Sequence, residues 1–143
     1  MNRLIFFLTL LSSLNAFALG PIPNGTFTGT ENCTGYHPVA SRLVITDSTM
    51  TWDDSKLAFD VDANGFFKMH SLEGSSGTGL GHFTKDGLHF EVIFEMLMDN
   101  GKTVSVPGED TFTFSQGKLQ LSSSASMISG GTISCSGIFS KAL

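Results

Sequence analysis

From Phe27 onward, apolar and polar residues alternate along nearly the whole chain, in short runs interrupted by Gly, Asn, Asp and Ser. A period of two marks strands with one buried face, and no long stretch keeps a helical period. Proposed hairpins can be checked against one another, because a correct turn sets apolar residues opposite apolar residues. A two-residue turn at Asp47-Ser48 places Ile45 opposite Met50 and Leu43 opposite Trp52. A turn over Asp53 to Lys56 returns Leu57 and Phe59 to the same face. The loop Ala63-Asn64-Gly65, with Gly65 left-handed, pairs Val61 with Phe67 and Phe59 with Met69, and sets Asp60 against Lys68 outside.

The strongest predicted strand runs from Leu88 to Met98. Leu88, Phe90, Val92, Phe94, Met96 and Met98 share one face; His89, Glu91, Ile93 and Glu95 share the other. A turn at Asp86-Gly87 would set Phe90 opposite Phe83 and His82 opposite Glu91. Asp99-Asn100-Gly101 sets Met96 opposite Val104. Pro107 and Gly108 read as a break before the next strand. Phe112 and Phe114 then meet Leu121 and Leu119 across Gln116-Gly117. A last turn near Gly130-Gly131 leads into Thr132 to Ser140, where Ile133, Cys135 and Phe139 share a parity, as Phe27 and Cys33 do at the start.

Sequential hairpins of this number predict an all-β fold: a single antiparallel up-and-down β-barrel of about 8–10 strands, since a large meander tends to curl and close. A two-sheet β-sandwich is the alternative. The two cysteines, Cys33 and Cys135, fall near the two ends of the β region and are expected to form a disulfide joining first strand to last. Residues 1–18 read as a secretory signal peptide, with Arg3, an apolar core from Leu4 to Leu11 and the small-x-small site Ala16-Phe17-Ala18. That leaves residues 19–143 as one barrel domain, secreted or periplasmic, where a disulfide persists. No integral membrane segment is expected after signal cleavage.

The net charge of −5, with eight Lys and Arg residues scattered singly, removes nucleic acid as a partner, because that needs a concentrated basic face. The candidate site is the inner face. Gly77, Gly79 and Gly81 share parity with Phe83, so they leave a slot without side chains. The expected ligand-binding lining is Phe67, Met69, Gly79, Phe83, Phe90, Phe94, Met96 and Phe112, suited to a small apolar ligand. The same rings folding over the glycines would fill the space instead. Thr103, Ser105 and Ser123 are candidate polar linings.

Other motifs resolve to local structure. Asp60-Val61-Asp62-Ala63-Asn64-Gly65 matches the first half of an EF-hand loop, but Ser71 stands where a bidentate Glu is required. His82, His89 and Glu91 lie on an outer face. No metal ligand set and no cofactor motif is assigned. Ser122 to Ser126 reads as a polar, possible edge strand and lacks the context of a hydrolase nucleophile. No catalytic residue is assigned, and the chain is expected not to be an enzyme. The alternative to a ligand-binding barrel is a protein-interaction or inhibitor module with an unidentified protein partner. Its candidate loops are Glu31 to Ala40, Glu73 to Gly77 and Val106 to Asp110.

Gly25-Thr26-Phe27-Thr28-Gly29 resembles the Gly-x-aromatic opening of the first lipocalin strand, with Phe27 where lipocalins usually carry Trp. The C-terminal helix of lipocalins has no counterpart here. The resemblance implies a barrel that holds a ligand inside.

Overall fold

The structure, a computed structural model, describes residues 19–73, 77–98 and 100–143, without the side chains of Met96 and Leu97. The expected signal peptide lies outside the described residues. Ten strands follow in order: β1 (Gly25–Cys33), β2 (Val39–Thr46), β3 (Thr49–Trp52), β4 (Ser55–Val61), β5 (Phe66–Glu73), β6 (Gly77–Phe83), β7 (Gly87–Leu97), β8 (Thr103–Ser115), β9 (Lys118–Ser126) and β10 (Thr132–Lys141). Each pairs antiparallel with its neighbours in sequence, and β1 pairs with β10 from Phe27↔Lys141 to Cys33↔Cys135, closing the barrel. The disulfide joins Cys33 to Cys135 at the end of that last ladder. We call this end of the barrel upper. It carries the β1–β2, β3–β4, β5–β6, β7–β8 and β9–β10 connections.

Most hairpin registers follow the apolar pattern. Leu43↔Trp52, Ile45↔Met50, Phe59↔Met69, Val61↔Phe67, Met96↔Val104 and Phe112↔Leu121 all form. Asp60 does face Lys68, while its carboxylate lies 3.6 Å from His70 Nδ1. The tight turns use left-handed residues: Asp47 at φ 48°, Gln116 at 51° with Gly117 at 75°. Such turns match the twist of the strands they join.

Four expectations need correction. The β3–β4 turn is Asp53-Asp54 alone, so Ser55 and Lys56 belong to β4. Asp53 adopts φ 49°, and its carboxylate accepts from Arg42 N at 2.8 Å and Ser41 Oγ at 2.7 Å, which fixes the tight turn. The β6–β7 turn is Lys85-Asp86, with Thr84 N donating to Gly87 O; Phe83 therefore faces Leu88, and His82 faces His89. Gly87 is a strand residue because β8 lies against it: a Cβ there would sit 2.7 Å from Phe112 C. Pro107 and Gly108 do not break the chain, since β8 runs through both. The ladder to β9 starts at Gly108↔Ala125, so Pro107 stands where β8 borders only β7, a place that tolerates its missing N–H. Finally, Ser122 to Ser126 is no edge, being paired on both sides by β8 and β10.

A ten-stranded barrel is wider than the eight-stranded kind that ordinary side chains just fill. Phenylalanine answers that width. Phe27, Phe59, Phe67, Phe90, Phe112 and Phe139 are buried, and their rings interlock: Phe59–Phe67 at 5.2 Å, Phe59–Phe90 at 6.0 Å and Phe90–Phe112 at 6.4 Å between centroids. The glycines of β6 make room for this packing. A Cβ on Gly81 would run into the His89 backbone carbonyl of β7 and lie 2.5 Å from Phe90 Cβ and 2.6 Å from Phe67 Cζ. Gly81→Ala is therefore expected to cost about 2 kcal/mol by overpacking, read as a lowered Tm in thermal unfolding. An unchanged Tm would mean that the β7 backbone and the rings give way to the methyl group without cost.

The lower end is shut. Leu19 and Ile22 are fully buried, joined by a hydrogen bond from Ile22 N to Leu19 O, and Gly20 between them lies against the Phe83 ring.

Candidate functional site

With the lower interior packed, the open space lies at the upper end. Inward parity there brings Glu31 and Cys33 from β1, Ser41 from β2, Trp52 from β3, Ser71 from β5, Gly77 from β6 and Phe94 from β7. Asp110 comes from β8 and Ser123 from β9. These residues surround a cavity of about 400 Å³ whose walls are Trp52, Leu57, Met69, Gly77, Phe90, Phe94 and Asp110, with Asp53, Asp54, Ser55 and Ser71 beside them. A second space of about 700 Å³ lies across Phe94, against Val106, Ala125 and Ile133, beneath Tyr36, Met127 and Ile128. Phe94 lines both.

Asp110 is the unusual wall residue. It is 4% exposed and faces Ser123 across the β8–β9 ladder, and the Ser123 side chain bonds to it. Its pKa is raised from 3.8 to about 6, chiefly because burial removes water from the charged form. Glu31 and Glu109 push in the same direction, while the Ser123 bond and His89 oppose them. Next to it, Trp52 packs edge-on against Phe112 at 5.6 Å. Trp52 Nε1 donates to Glu31 Oε1 and to Ser41 Oγ at 3.1 Å, and Ser41 passes the chain on to Asp53. The indole is thereby held by its polar edge in the cavity wall.

The expected lining residues divide between core and cavity. Phe67 and Phe112 are packed in the core, and Phe83 sits at the lower end against Phe67 at 5.2 Å. Gly79 faces Met69 Cε, which would lie 3.2 Å from a Cβ there. Met69, Phe90 and Phe94 reach the cavity. Met96 keeps its register opposite Val104, but its side chain lies outside the described part. Of the polar linings, Ser123 points inward; Thr103 and Ser105 are exposed, because Val104 and Val106 hold the inward parity of β8.

Comparison with protein-family models, curated proteins and solved structures finds no match to this chain. The fold is compatible with a lipocalin-like barrel, and the likeness rests on the closed antiparallel meander itself.

Outside the barrel, the His82 and His89 rings lie 5.5 Å apart with their planes tilted by 57°, and His89 Nδ1 bonds Thr111 Oγ1 at 2.9 Å. Among the described residues no group of three His, Cys, Asp or Glu is arranged to hold a metal. The half EF-hand is a hairpin loop: Asp62 Oδ1 accepts from Asn64 N and Phe66 N. Val106 to Asp110, expected as a loop, is strand.

Sequence reasoning set Trp52 on the apolar inner face and missed Glu31 and Asp110. The signal was present as parity. Asp110 is in step with Phe112 and Phe114, and Glu31 with Phe27 and Cys33. The supposed break at Pro107-Gly108 hid the first.

Proposed function

We propose that this small disulfide-bonded barrel is an exported, non-catalytic carrier that binds a small, mainly apolar molecule in the upper end of its interior. The observation that carries this reading is the contrast between the two ends. The lower end is packed and sealed by Leu19 and Ile22, whereas the upper end holds two apolar-walled spaces divided by Phe94. Their volumes fall within the range of small-molecule sites, and a rigid ladder surrounds them. Export is supported by the disulfide, which needs an oxidising compartment.

Trp52 is the chain's single tryptophan and stands in the wall of the smaller cavity, so its emission reports on occupancy. Titration with 1-aminoanthracene is expected to quench Trp52 saturably. Gly77→Leu, which projects a side chain into the same cavity, is expected to weaken binding by about tenfold or more while the circular dichroism spectrum is kept. Unsaturable quenching, or binding untouched by Gly77→Leu, would reject the site.

A protein-facing role draws on a different surface. Phe66, Leu80 and Ile93 are exposed on the outer face of β5 to β7 and flank shallow clefts there. Contiguous exposed apolar residues mark interaction surfaces. Under that reading Leu80→Asp abolishes partner binding and leaves the Trp52 titration unchanged.

A further inference from the structure

Resting on the cavity reading above, we propose that the preferred ligand is a primary or quaternary ammonium carrying an apolar body, its cationic head seated beside Asp110. Three observations on the interior converge on that chemistry.

The first is charge. Glu31 and Asp110 both face inward at the upper end, whereas Arg42, Lys56, Lys68 and Lys118 hold the outward parity and Lys141, in register with Phe27, is exposed at the lower end. Among the described residues the ion pairs are His70–Asp60 and His89–Glu109, both outside, and neither includes Asp110. Asp53 and Asp54 add two further carboxylates where the cavity meets solvent. A low-dielectric space whose only fixed charges are negative attracts cations and repels anions.

The second is the wall. Trp52, Phe90 and Phe94 line the space that Asp110 borders. Aromatic rings draw ammonium groups through their quadrupole, and the attraction grows when water is excluded.

The third is the division of the upper end. The smaller space holds the carboxyl, and beyond Phe94 the larger space is bounded by Val106, Ala125 and Ile133. A cationic head in the first leaves an alkyl or aryl body free to extend along Phe94 towards the second. An alcohol of the same length gains the body contacts but not the charge. A carboxylate meets like charge.

The test compares n-octylamine, n-octanol and octanoate at pH 8, read by Trp52 emission on the full mature chain. In the wild-type protein the amine is expected to bind about tenfold or more tightly than the alcohol, with octanoate weakest. Asp110→Asn is expected to bring the amine to the level of the alcohol and leave the alcohol unchanged. Glu109→Gln removes the same charge from the outer face and is expected to keep the amine preference. If the alcohol matches the amine in the wild type, or if Asp110→Asn keeps the preference, the inference is overturned while the cavity stands. If none of the three perturbs Trp52, the cavity reading itself fails and takes this inference with it.

Discussion

Removing the disulfide by Cys33→Ser with Cys135→Ser is expected to lower stability by about 4 to 5 kcal/mol, the largest single effect in the molecule. The bridge spans a sequence separation of 102 residues, so in the chain-entropy model it removes a large amount of freedom from the unfolded chain. Seven residue pairs of the β1–β10 ladder remain to close the barrel without it, from Phe27↔Lys141 to Cys33↔Cys135. The double variant should therefore fold with the same circular dichroism spectrum and a much lower denaturant midpoint. A midpoint within error of the wild type would show that the unfolded chain is already held compact by other contacts.

Asp110→Asn is expected to act in the opposite direction. A carboxyl whose folded pKa is raised holds its proton more firmly in the native state than in the unfolded chain. Its contribution is therefore most favourable below about pH 3.8, declines as the pH climbs to about 6, and stays at its lowest above that. The difference amounts to about 3 kcal/mol. The amide carries no charge to bury and can still bond Ser123. The variant should thus exceed the wild type by about 3 kcal/mol at pH 7.5, with the gap closing near pH 3.5. Chemical denaturation of both proteins at the two pH values decides it. A gap independent of pH would assign the effect to packing instead of charge.

Much of this architecture could be read from the alternation alone. Ile45↔Met50, Phe59↔Met69 and Phe112↔Leu121 follow from demanding one apolar face, and parity alone sends both cysteines inward. What escaped was set by contacts between distant strands. Gly87 resembles a turn residue in sequence, but it is glycine because the β8 backbone lies against it. Pro107 resembles a break, but it falls beyond the start of the β8–β9 ladder. Leu19 and Ile22 show no strand period, because they form a single bridged turn inside the barrel end. Of the expected lining, Met69, Phe90 and Phe94 border the open space, while Phe67, Phe83 and Phe112 lie in the packed part. Pattern separates inside from outside, yet it does not say how far the phenylalanines fill the lumen.

The connectivity also dictates an order of assembly. Nine of the ten ladders join strands adjacent in sequence, and only β1 with β10 brings distant segments together. Each hairpin can form with little loop entropy to overcome, so the cost of long-range search is concentrated in one closing step. Until that step the sheet has two bare edges, at β1 and β10, open to pairing with other chains. Cys33 and Cys135 meet at the finish of that same ladder, so their bond covalently holds the pairing by which the sheet loses its edges.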